Sequence, residues 1–263
     1  MLTARESSRQ RPWWFVVAAG SLAVAFLFGA MIGPAGPAWW RVPLELLDHL
    51  PFVKVHSGAS ALESRVLWQI RMPRVVLAGI VGAMLSLAGA SFQGVFRNPL
   101  VDPYLLGVAA GAGLGATVVI VVNRASTQSW PVDPLPLAAF VGGLLAVLLT
   151  YLVGAAFGAS RASATLVLAG VAVTSLATAI QTFMLQKNSE VVRQVYSWIL
   201  GRLSTATWDD VRLVAPYVIV SGAVLLAHRR LLDVLRIGED EAQSLGAPVD
   251  RIRLTVVIAA TLG

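Results

Sequence analysis

Cysteine is absent from this 263-residue chain. That excludes disulfides, thiolate metal sites and a cysteine nucleophile, and leaves the redox compartment open. Lysine is nearly as scarce: only Lys54 and Lys187 occur, and neither sits in the Gly-x-x-x-x-Gly-Lys-Ser/Thr loop that cradles a nucleotide's phosphates. The chain therefore cannot hydrolyse ATP itself. The three histidines, His49, His56 and His228, have no metal-ligand spacing, and no Ser, His and Asp constellation suggests hydrolysis. Charged residues make up only 13% of the chain, against roughly 25% in soluble domains. The net charge of +6 does not point to nucleic acid, because the basic residues stand singly at the ends of apolar runs.

What is abundant is apolar sequence, 57% of the residues. Crossing a bilayer takes roughly 20 apolar residues as a helix, since no backbone polar group can go unpaired in lipid. Residues 13–33, 75–96, 104–122, 135–157, 164–186 and 211–227 meet that need, and another run begins at Ile252. The sequence thus predicts an all-α, polytopic transmembrane bundle of six full spans and the start of a seventh, one domain over residues 1–263. The first run, with 21 residues, is too long for a signal-peptide core of about 7–15 and reads as a retained span. All eight tryptophans, Trp13, Trp14, Trp39, Trp40, Trp68, Trp130, Trp198 and Trp208, fall at or beyond span ends, as expected of headgroup belts. Gly107, Gly111 and Gly115, with Ala112 and Ala116 beside them, form a small-residue stripe that lets helices approach closely. Counting Lys and Arg on alternate loops gives a tie. Arg5, Arg9 and Arg11 before the first span then favour a cytoplasmic N-terminus.

None of the six spans carries an ionisable side chain in its apolar interior. Proton- or sodium-coupled transport ordinarily uses such groups, so the energy should come from outside the bilayer. Residues 231–253 suit a cytoplasmic contact. They predict two short helices too polar to span, broken at Gly238 and ended at Gly246, with Glu239, Asp240 and Glu241 at the positive end of the second. Arg71 and Arg74 stand together at the mouth of the second span, where an arginine ordinarily snorkels to headgroups. Thr174, Thr178, Gln181 and Thr182 share one helical face of the fifth span, as do Ser86 and Gln93 on the second. Such uncharged polar faces suit either a translocation path or contacts with neighbouring helices. A short interfacial helix is expected within residues 189–203, either covering the bundle or docking a partner.

Several of these features together resemble a known family. Arg71-Met72-Pro73-Arg74 opening a helix, Gln93 near its end, the loop from Asn98 to Pro103 and the Leu105-to-Gly111 helix start resemble the FecCD permeases. Those are the membrane subunits of ABC importers for iron-siderophores, haem and vitamin B12, and the resemblance runs from about residue 66 onward. It implies about ten helices in all, of which this chain would lack the last three or so, and a permease homodimer. It also implies cytoplasmic ABC ATPase partners carrying ATP-Mg, an extracytoplasmic binding protein, a bacterial inner-membrane location and no cofactor or metal on this chain. By the same resemblance, Gly238, Glu239, Ala242, Leu245 and Gly246 form the loop seated in the ATPase, and Arg71 and Arg74 dock the binding protein. Asn98, Leu100 and Ser163 match gate positions, although Ala164 stands where some relatives carry a hydroxyl. The expected cargo is an iron(III)-siderophore, with cobalamin and haem as alternatives. The rivals from other classes are an ATPase-independent secondary transporter or channel, and a membrane anchor.

Overall fold

A computed structural model describes residues 13–33, 35–49, 55–99, 101–125, 134–156, 163–201, 203–236, 238–244, 246 and 248–263. Among these residues no strand occurs. The helices are α1 (Trp13–Met31), α2 (Val42–Asp48), α3 (Ala61–Val66), α4 (Met72–Phe96), α5 (Val108–Ala125) and α6 (Leu135–Ala156). They continue as α7 (Ser163–Lys187), α8 (Val192–Ile199), α9 (Trp208–Ala227), α10 (Arg229–Leu235), α11 (Glu239–Ser244) and α12 (Val249–Leu262). Five stretches, containing α1, α4, α6, α7 and α9, are long and apolar enough to cross a membrane. The helical bundle that the sequence predicts is therefore the fold.

Two boundaries differ from the expectation, each for a local reason. The helix that carries the second span begins at Ala61, ahead of the apolar run at residue 75, because Ser60 and Glu63 form a capping box: the Glu63 amide donates to Ser60 Oγ at 3.3 Å and the Ser60 amide to Glu63 Oε2 at 2.8 Å. From there α3 runs through a π-helical turn, Leu67–Arg71, directly into α4. The third span does not run unbroken from residue 104. Pro103–Leu106 is a single 3-10 turn, Gly107 takes a left-handed φ of 82°, and α5 starts only at Val108. The break frees the Leu106 carbonyl, and the buried Thr150 hydroxyl of α6 donates to it at 3.0 Å.

The chain divides into two compact units, residues 1–79 with 203–212, and residues 80–202 with 213–263. In the first, Ala30 of α1, Val42 of α2 and Leu67 of the π turn form a small core flanked by Trp68 and Met72. Glu45 on α2 is buried there and accepts from the Ser57 hydroxyl. Burial alone would raise its carboxyl, but hydrogen bonds from Ser57 and Ser64 and the nearby His49 outweigh that and hold it below the usual carboxylate range.

The second unit is built on close backbone approach. Gly111 and Gly115 of α5 lie against Ala138 and Gly142 of α6 so tightly that a Cβ on any of the three glycines would overlap a backbone carbonyl of the other helix. Glycine is the residue type that permits this contact, and in lipid such contact is a principal source of helix association. Gly170 of α7 approaches the Leu105 carbonyl in the same way. A separate cluster joins Phe92, Val95 and Phe96 of α4 with Leu225 of α9, Leu235 of α10, Ala242 of α11, and Val249, Ile252 and Val256 of α12. Beside it, α8 is seated by Val191 and Val195 against Ile120 of α5 and Leu185 of α7. Ile199, which continues that spacing at the end of α8, is exposed.

Candidate functional site

The N-terminal mouth of α4 is set by Arg71. Its guanidinium donates to the carbonyls of Ala30 at 3.0 Å, Met31 at 3.2 Å and Gly33 at 3.0 Å, and also to that of Ala35. The last carbonyls of a helix have no intrahelical donor, so one planar fork satisfies the end of α1 and the turn that follows. Gly33 and Gly36 line the guanidinium, where a Cβ at position 33 would overlap it. The π turn at 67–71 changes the phase of the helix just before Arg71, and single π turns are often found where one side chain must be re-aimed. Arg74, one turn on, is only half-buried, and its Nε has no hydrogen-bond partner. The two arginines that the sequence pairs are therefore not equivalent. Arg71→Ala is expected to lower unfolding stability in detergent by about 2 kcal/mol, since it strands the buried Ala30 carbonyl and frees three part-buried ones. Arg74→Ala should cost less than about 1 kcal/mol by the same thermal or denaturant measurement.

The polar faces also separate. On α4, Ser86 is exposed with its hydroxyl bonded to the Gly82 carbonyl at 2.8 Å, and Gln93 is exposed nearer the C-terminal end. On α7, Thr178 and Thr182 are exposed, and the Thr182 hydroxyl donates to the Thr178 carbonyl at 2.8 Å. Thr174 is half-buried beside Gly107. Gln181 departs from that group. It is buried and donates to the Gly113 carbonyl at 3.1 Å and to Thr117 Oγ1 at 2.8 Å. Gln181 and Thr182 lie about 100° apart around a helix, so one can tie α7 to α5 while the other stays open. Thr117, buried and itself bonded to the Gly113 carbonyl at 2.7 Å, was missed from sequence. Its position four residues from Gly113 was the signal.

At the other end of α4, Arg97 closes the helix with a φ of 51°, and Asn98 follows in a turn where the Val101 amide donates to the Asn98 carbonyl at 3.2 Å. Asp102 accepts from the Tyr104 amide at 2.7 Å and so caps the next turn. Leu100 and Leu245 lie outside the described residues, and Ser163 opens α7. Residues 231–253 contain two short helices, as the glycines foretold. Gly238 has a φ of 156° and Gly246 one of 80°, the Gly246 amide donating to the Gln243 carbonyl at 2.9 Å. Glu239 opens α11. Ala242 is wholly buried with Leu235 and Val249, so the polar segment is anchored to the apolar core by its own small residues.

A profile of the FecCD transport family matches residues 21–263. The chain is 33% identical over 288 residues to the cobalamin import system permease of Halobacterium salinarum, a match covering 98% of this chain and 76% of that one. It is also 33% identical over 195 residues to the Fe(3+)-citrate import system permease of Bacillus subtilis, covering 74% and 57%. Among solved structures, an inward-facing conformation of a metal-chelate type ABC transporter superposes with a TM-score of 0.74 at 23% identity, covering 95% of this chain and 73% of that one. That last likeness concerns the fold.

Proposed function

We propose, since this chain belongs to the FecCD transport family, that it forms the membrane path of an ATP-driven importer whose cargo is an iron(III)-siderophore. The chain is a permease of the ABC-importer family whose members carry metal chelates, cobalamin, haem or iron. The observation that carries the energy source is a combination. The six apolar runs have no interior charge, Arg71 and Arg74 standing ahead of the second of them, the chain has no phosphate loop, and a short pair of helices, α10 and α11, is fixed to the core by Leu235 and Ala242. Such a segment is suited to receive a push from a separate ATPase and pass it to α9 and α12, with Gly238, Glu239, Ala242, Leu245 and Gly246 as the contact.

The remaining assignments follow from the family. A binding protein delivers the chelate on the α1–α4 mouth, with Arg74 as the docking charge and Arg71 holding it in place. Two permease copies enclose the path, lined by Ser86, Gln93, Thr174, Thr178 and Thr182, with Asn98, Leu100 and Ser163 at its gates. Neutral hydroxyls and amides fit a bulky chelate that must pass without being held. Reversing Arg74 to Glu should weaken binding-protein affinity about tenfold while leaving thermal stability unchanged, because a rim charge mainly sets approach and register. Unchanged affinity would remove Arg74 from the docking surface.

A second reading has its own support: the cobalamin permease of Halobacterium salinarum matches across 98% of this chain. One experiment separates the cargoes. A strain deleted for this gene is offered labelled ferric siderophore, haem and cobalamin. The proposal expects loss of ferric siderophore uptake and its restoration by the gene in trans, whereas selective loss of cobalamin uptake establishes the second reading.

A further inference from the structure

We propose that a cavity at the C-terminal ends of α4 and α9 binds the phosphate headgroup of an anionic phospholipid. The cavity has a volume of about 910 Å³, within the range of small-molecule sites. Among the described residues four arginines line it, Arg97, Arg229, Arg230 and Arg236, with one carboxylate, Asp233, which pairs with Arg236 at 3.9 Å. All five of these side chains are exposed, and the positive ones outnumber the negative.

Its position in the chain selects a lipid over other anions. Arg97 directly follows the last residue of α4, and Arg229 comes two residues after the last of α9, so both lie where a membrane span ends. Below them the same cavity is lined by Leu87, Leu226 and Leu232, a surface for the first methylenes of an acyl chain, and Gln93 and Asn98 lie on its wall, so the headgroup sits at the end of the proposed path. Cationic rim and apolar floor together match the two ends of one phospholipid molecule, and basic pockets at span ends are known to suit such headgroups. Arg97 adds a second sign of construction. It is the one described non-glycine residue with a positive φ, a conformation that persists only where its surroundings hold it. That turn brings Arg97 onto the same cavity wall as the α10 arginines.

The test takes the full chain, purified in neutral detergent and titrated separately with cardiolipin, phosphatidylcholine and inorganic pyrophosphate. Retention is read by native mass spectrometry and by the thermal midpoint. Cardiolipin should be retained and should raise the midpoint, and the other two should do neither. Arg229→Gln with Arg230→Gln should weaken cardiolipin about 30-fold, and Arg97→Gln alone about fivefold, at roughly one increment per arginine. Arg193→Gln, on α8, should bind as wild type. The single Arg97 variant decides the matter if the double variant fails to fold. Equal binding of phosphatidylcholine, full replacement by pyrophosphate, or wild-type affinity in the arginine variants would overturn the assignment.

Discussion

Gly142→Leu should prevent the protein from accumulating as a folded permease. At this position α6 meets Gly111 and Gly115 of α5 backbone to backbone, and a Cβ alone would already overlap the Gly111 carbonyl. The neighbour is a main-chain atom within a helix, so no rotamer change relieves the clash and the helices must separate. Overpacking a well-filled interior by a few methylenes costs about 1–3 kcal/mol, and more where backbone must move. Losing the α5–α6 contact in lipid adds the packing that held the pair together. The expected result is a drop of more than about 3 kcal/mol in detergent unfolding stability with little protein recovered from membranes. Gly82→Leu on α4, where nothing lies within 4 Å of the added Cβ, is the control and should be close to neutral. A Gly142 variant as stable as the parent would show that these helices do not need contact.

Ala242→Asp should abolish ATP-driven uptake while leaving the bundle inserted. Ala242 is fully buried where α11 meets Leu235 of α10 and Val249 and Ile252 of α12. A carboxylate there displaces close apolar neighbours, and burying its charge costs several kcal/mol. The least costly relief is for α11 to lift away from the core, because the segment is flanked by the left-handed Gly238 and Gly246. The membrane spans would then survive while the part proposed to meet the ATPase loses its seat. Uptake in proteoliposomes is expected to fall more than about tenfold, with the yield of inserted permease and binding-protein affinity near parental values. ATP-dependent uptake at the parental rate in this variant would separate α11 from the power stroke.

How far these sites could be read from sequence depended on whether the cause was local. The spans and their helical state were legible, because a bilayer leaves the backbone few alternatives and an apolar run reports its own burial. The Gly111–Gly115 stripe was equally legible as a packing surface, since small residues at helical spacing serve close approach. The two short helices of residues 231–253 could be placed from Gly238 and Gly246 alone. What could not be read was tertiary. Arg71 looks like a rim charge at the head of a motif, and only the return of α1 some 40 residues earlier in the chain puts the Ala30 and Met31 carbonyls within its reach. Gln181 sits in an arc with three threonines, and which edge of that arc faces α5 is a matter of helix rotation that spacing does not encode. The break at Gly107 was hidden for a different reason. Glycine is tolerated within a membrane helix, and the Thr150 hydroxyl that makes the break affordable comes from another helix. The arginine cavity was invisible because its residues come from two distant segments of the chain, 87–99 and 225–236.

The most direct test of the account measures what powers transport. The permease is reconstituted in proteoliposomes with its ATPase and binding protein, and labelled chelate uptake is followed with ATP inside and all proton and sodium gradients collapsed. Uptake should proceed, stop with a non-hydrolysable ATP analogue, and be absent when the ATPase is omitted, whatever ion gradient is imposed. Accumulation driven by a proton or sodium gradient in vesicles holding the permease alone would contradict it, because apolar runs without interior charges would then be extracting work from ions.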